Sequence, residues 1–138
     1  MVDIDIHYAG ELRTEAKHRP SGATFVTDAP VDNQGRGESF SPTDLVATGL
    51  GTCMVTVMGI RAKQKGWSID GTDVHVKKHM SPPPRRIARL EVTVRSPAGV
   101  GGTLSAEVRA ELEDVANHCP VRLSLLDAIE VPVTFDWG

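Results

Sequence analysis

Cysteine is nearly absent from this 138-residue chain, which holds only Cys53 and Cys119. Two thiols that far apart cannot build the disulfide framework of a small secreted domain, and no Cys-x-x-Cys spacing marks a zinc or redox motif. Charge of one sign is not in excess either. Fifteen Lys and Arg face eighteen Asp and Glu, a net charge of -3, so there is no basic field to hold a phosphate backbone and no nucleic-acid partner is expected. The one dense basic run, Arg85, Arg86 and Arg89, lacks interleaved aromatic residues and reads as a solvated hairpin. Long apolar runs are missing as well: the longest uncharged stretch, Leu45 to Ile60, falls short of the ~20 residues that span a bilayer. It reads as a buried helix, with no membrane partner. The opening MVDIDIHYAG has neither a basic start nor an apolar block, so no secretory leader is read there and a cytoplasmic protein is expected. His75 and His79 lack the spacing of zinc ligands, and no metal site is expected.

What remains is the composition of a soluble globular protein, 40% hydrophobic and 24% charged, of a length suited to a single domain over residues 1–138. Ile4, Ile6 and Tyr8 alternate with polar residues, and after a break at Ala9-Gly10 a second alternating run covers Glu11 to Lys17, which predicts a hairpin. A third strand is expected over Ala23 to Thr27. Asp28 to Phe40 shows no periodicity, and a loop of this length in a small domain is often functional. Ser41, Pro42 and Asp44 then spell a helix start, a capping box with proline at the first helical position, and Gly66 ends the helix. Val46, Leu50, Cys53, Val57 and Ile60 form its apolar stripe, while Leu45, Met54, Val55 and Met58 carry apolar surface to other sides. A helix apolar nearly all round sits in the middle of a molecule or against a second subunit.

Two adjacent antiparallel strands are predicted over Thr72 to Met80 and Ile87 to Arg95. A second helix starts near Thr103 or Ser105, its stripe Leu104, Val108, Leu112 and Val115 continuing to Cys119. Pro120 disfavours helical geometry at Cys119 and opens a short third helix to about Ala128. A last strand covers Val131 to Phe135. Strands, helix, strands, helices, strand is the order of an α+β domain.

A cysteine on a buried helical stripe serves either as a small hydrophobe or as a nucleophile. Cys53 lies beside Gly49 and Gly51, which leave room for a ligand. Too deep in its helix to gain from the dipole, it needs a cation from elsewhere to become a thiolate, and Arg36 and Arg19 are the candidates. Cys119, just before Pro120, is a helix N-cap whose sulfur faces free backbone N–H groups, an arrangement that favours a thiolate. Asp44 either orients a catalytic arginine or serves only the cap.

Three segments, SPTDLVATGLGTCMVTVMGIRAKQKGWSIDG, KKHMSPPPRRIARLEV and NHCPVRLSLLDAIEVPVTF, together resemble the OsmC/Ohr family of thiol-dependent hydroperoxide reductases. The resemblance covers most of the chain from Ser41 onward, and its specific element is the apolar helix bearing Cys53 followed later by Cys119-Pro120. It implies an OsmC-like fold, an antiparallel sheet wrapped around a long central helix, in an intertwined homodimer whose central helices pack together. It further implies that Cys53 is the peroxidatic and Cys119 the resolving cysteine, completed by an arginine from the N-terminal half and a glutamate after the helix-starting proline. Here that position is Thr43, with the acid displaced to Asp44. The implied activity is reduction of a small organic hydroperoxide through a Cys53 sulfenic acid and a Cys53–Cys119 disulfide, which an external thiol or dithiol reopens without metal, flavin or haem. Leu50, Met54 and Val57 would favour alkyl peroxides. The competing reading is a non-catalytic module that binds an apolar or thiol-bearing small molecule.

Overall fold

A computed structural model of the chain describes residues 1–138, which form two compact units, Met1–Val46 and Ala47–Gly138.

The first unit is a three-stranded antiparallel sheet in the order β1 (Ile4–Gly10), β2 (Arg13–His18), β3 (Thr24–Asp28). The alternation of β1 survives in the register: Ile6 pairs with Ala16, and Ala16 with Phe25, so apolar residues line one face. The hairpin turn is more contorted than a simple break. Gly10, Glu11 and Leu12 all take positive φ, which delays β2 to Arg13. After β3 the aperiodic loop is closed on itself, with the Asp28 amide donating to the Phe40 carbonyl (3.1 Å) and the Ala29 amide to that of Leu12 (3.2 Å).

Helix α1 (Pro42–Lys65) starts and stops as its sequence dictates. The Ser41 hydroxyl accepts the Asp44 amide (3.1 Å) and the Asp44 carboxylate accepts the Ser41 amide (2.8 Å), which satisfies two otherwise orphaned donors. At the far end Gly66 is left-handed (φ 74°), and the Trp67 amide reaches back to the Ala62 carbonyl (2.9 Å), the hydrogen bond that closes a glycine-terminated helix.

Most of α1 belongs to the second unit, but its core-facing side differs from the expected stripe. Ala47, Leu50, Gly51, Met54, Met58 and Ala62 are buried, whereas Val46 and Ile60 are 38% and 53% exposed. Because the helix is apolar on every side, periodicity alone could not choose a face; small residues did. A Cβ on Gly51 would stand 3.0 Å from Val76 and 3.2 Å from Val74. Gly51 therefore lets the helix backbone close onto the neighbouring strand, rather than leaving room for a ligand.

That strand, β4 (Asp73–Met80), pairs antiparallel with β5 (Ile87–Arg95) as expected, while β6 (Val133–Asp136) joins the other edge of β5 in parallel. The sheets are thus two, and the second is mixed, in contrast to the wholly antiparallel sheet anticipated. Parallel neighbours need a crossover, supplied here by α2 (Val100–Thr103), α3 (Ala106–Asn117) and α4 (Pro120–Ser124). Ser105 caps α3, its hydroxyl accepting the Val108 amide (3.3 Å). Helix α4 ends earlier than predicted, because Leu125 turns extended (φ -79°, ψ 150°). Leu50, Met54, Met58, Leu90, Val92, Val94, Leu112 and Cys119 form the core.

Candidate functional site

The second unit brings the two cysteines together. Cys53 is half-buried and packs against the core cluster to which the fully buried Cys119 belongs; both thiols are free. Cys119 has the extended backbone (φ -64°, ψ 150°) that a following proline imposes and caps α4, its Sγ accepting the Arg122 amide at 3.4 Å. The cap forms as anticipated, but it does not make a thiolate. Burial pushes the Cys119 thiol above its ordinary value and outweighs the Arg122 amide, and the hydrogen bond and charge of Cys53 push it further. The pair is therefore unequal: a partly buried thiol, and beside it a fully buried one held protonated.

In the first unit each predicted polar residue has a partner. Arg19 spans the Asp5 carboxylate with Nε and Nη2, both at 2.7 Å, and Arg36 donates from Nη2 to Glu11 at 3.1 Å. All four side chains are exposed, and such pairs contribute little to stability. Asp44 stands in the capping box. Sequence reasoning missed a third arginine. Arg13 meets Glu38 and lies 3.5 Å from Asp28, whose side chain is only 1% exposed and accepts the Glu38 amide at 3.0 Å. That amide, and then the Arg13 charge, hold the Asp28 carboxyl below its usual range. The available signal was the loop itself, since Asp28 and Glu38 bracket the aperiodic stretch, but nothing in the sequence ties them to Arg13.

The model of the OsmC-like protein family matches residues 35–134. The chain belongs to the OsmC-like family. A solved relative from Psychrobacter arcticus 273-4, assigned to the osmotic stress induced and detoxification response, is 38% identical over 98% of this chain and 96% of its own, with a TM-score of 0.90. The same fold, at much lower identity, recurs in the organic hydroperoxide resistance protein of Elizabethkingia anophelis (17% identity, TM-score 0.76, covering 100% of this chain and 96% of that one). It recurs again in the organic hydroperoxide resistance protein OhrB of Bacillus subtilis (16% identity, TM-score 0.67, covering 99% and 98%). No curated protein matches. The resemblance drawn from the three sequence segments is thus correct at the level of family and fold. The second unit of this OsmC-like chain thus holds two adjacent thiols of unequal burial, and the residue that follows Pro42 in the first unit is Thr43.

Proposed function

We propose that this OsmC-like protein reduces organic hydroperoxides in the cytoplasm. The observation that carries the reading is the partly buried Cys53 beside the fully buried Cys119. The Cys53 thiolate attacks the outer oxygen of the hydroperoxide. An S–O bond forms as the O–O bond breaks, the alkoxide takes up a proton and leaves as the alcohol, and Cys53 is oxidised to a sulfenic acid. The Cys119 sulfur then attacks the Cys53 sulfur. The S–S bond forms, the S–O bond breaks, and the hydroxyl departs as water with the Cys119 proton. An external dithiol reopens the disulfide by two exchanges.

Arg36, rather than Arg19, is the arginine we assign to this chemistry. In its favour, only its Nη2 is engaged, whereas Asp5 occupies both ends of the Arg19 fork. The working form is a homodimer, a reading supported by Ile4, Ile6, Tyr8 and Phe25, which share one exposed face of the first sheet and form the kind of apolar patch that marks an interface. Sedimentation at micromolar concentration should then show about twice the 14.8 kDa chain mass.

The deciding experiment follows both thiols by mass spectrometry after one equivalent of cumene hydroperoxide. The wild type should lose two hydrogens and gain a Cys53–Cys119 link. Cys119→Ser should stop at a sulfenic acid trapped by dimedone, and Cys53→Ser should consume nothing. Arg36→Ala should slow consumption, with Arg19→Ala nearly neutral. A second reading, a binding module without turnover, is favoured by Thr43 in place of the acid and by the use of Asp44 in the cap. Two unmodified wild-type thiols after excess hydroperoxide would establish that reading instead.

A further inference from the structure

Helix α4 is a single turn, Pro120–Ser124, and none of its residues is buried. A helix this short does not hold itself together, so its ends decide whether it forms. At the far end the Leu125 amide donates to the Arg122 carbonyl (3.3 Å) and the Ser124 hydroxyl to that of Pro120 (2.8 Å). At the near end Pro120 has no N–H to satisfy, and the next two donors turn to one atom. Cys119 Sγ accepts the Arg122 amide at 3.4 Å, and the Val121 amide is drawn to it as well. The cap of α4 is thus a sulfur with a second engagement, since the same thiol is hydrogen-bonded to Cys53.

The two cysteines differ in freedom. Cys53 sits in the middle of the 24-residue α1, where Leu50 and Met54 are fully buried and Gly51 lets the backbone close onto Val74 and Val76. Cys119 stands at the joint between α3 and α4, followed by Leu123 and Leu126, each 69% exposed. A disulfide holds its sulfurs about 2.05 Å apart, far inside the reach of a thiol–thiol hydrogen bond. Closing it therefore draws Cys119 Sγ toward α1, and the less firmly held side supplies the movement. The bonded sulfur also has no thiolate form, the form that the two amides favour.

We infer that closure of the Cys53–Cys119 disulfide strips α4 of its N-cap, so that the surface turn Pro120–Ser124 is held in the reduced protein and loosens in the oxidised one. The inference rests on the disulfide of the proposed reaction, in which the two thiols give up two hydrogens and two electrons and the hydroperoxide becomes alcohol and water. It carries a buried redox event to the surface. The loosening stays local, because the chain is tied down again at Glu130, whose carbonyl accepts the Leu90 amide (2.8 Å) and whose amide donates to the Ala88 carbonyl (3.0 Å).

The test needs no hydroperoxide. Diamide closes a dithiol by taking up both hydrogens as it becomes the hydrazine, and amide exchange is then followed residue by residue by NMR. Exchange at Arg122 should run about fivefold to tenfold faster after diamide, the size of one lost N-cap, with Met54 and Leu112 unchanged. Cys119→Ser keeps an N-cap oxygen and cannot close the bond, so diamide should leave its Arg122 amide protected. Cys53→Ser keeps the sulfur cap and should behave alike, whereas Cys119→Ala has no cap and should exchange fast with or without diamide. Equal Arg122 exchange in reduced and oxidised wild type, full protection of that amide in Cys119→Ala, or no intramolecular disulfide under diamide would overturn the inference. Diamide-dependent loosening in a protein that consumes no cumene hydroperoxide would uphold the switch and reject the peroxidase reading. Consumption with no change at Arg122 would do the reverse.

Discussion

Disulfide closure in this OsmC-like protein should be governed by pH through Cys119. The residue has no exposed surface, and burial lifts its thiol above the ordinary 9.0, with the neighbouring Cys53 adding to the rise. At pH 7 fewer than about one Cys119 in a hundred is therefore a thiolate. Since the thiolate is the attacking form, closure should accelerate about tenfold per pH unit, and so about a hundredfold between pH 6 and 8. Rapid quenching after one equivalent of cumene hydroperoxide, with dimedone to capture the sulfenic acid and non-reducing mass spectrometry to count the disulfide, separates closure from the first oxidation. A closure rate that stays flat from pH 6 to 8 would refute the assignment of the slow deprotonation to Cys119. The same shift bears on folding. The unfolded thiol ionises near 9.0 and the folded one only above it, so this contribution to stability is complete below pH 9 and is lost as pH rises through the folded value.

Gly101→Ala would put a Cβ 2.3 Å from the Trp137 carbonyl oxygen, and urea titration should show a loss of about 1–3 kcal/mol. Ser41→Ala removes one half of the capping box and should lower stability by about 0.5–2 kcal/mol by the same assay. Asp28, whose carboxyl is held low by the Glu38 amide and Arg13, contributes stability that is present above its unfolded value near 4 and lost as pH falls through the lower folded one. Asp28→Asn should therefore flatten the acid limb of the stability curve below about pH 4, read by thermal melts across pH.

Much of this architecture was legible in the order of residues. Ser41, Pro42, Asp44 and Gly66 fix both ends of α1 through short-range hydrogen bonds, and Pro120 sets the break at Cys119, because these devices act within a few residues. The strand pair Asp73–Met80 and Ile87–Arg95 was equally visible from its alternation. Other features depend on partners distant in sequence. The true core face of α1 is chosen by how closely Gly51 can approach Val74 and Val76, and the parallel placement of β6 by a crossover of three helices. At the site, two cysteines could be singled out, but their unequal burial could not. Neither could the attachment of Arg13 to Asp28 and Glu38, since a surface-type residue gives no sign of the carboxylate it will meet.

The parallel strand β6 also sets a schedule. Its register pairs Val92 with Val133 and Val94 with Phe135, and the Trp137 indole then donates to Glu113 on α3 at 2.7 Å. During synthesis, β4, β5 and all four helices emerge before their last partner exists. Until Val133–Trp137 leaves the ribosome, one edge of the central strand stands open, and the hydrophobic interior that holds Cys119 is unsealed. Val133, Phe135 and Trp137 thus pack onto the core that holds Cys119 only after every helix of that core has been made.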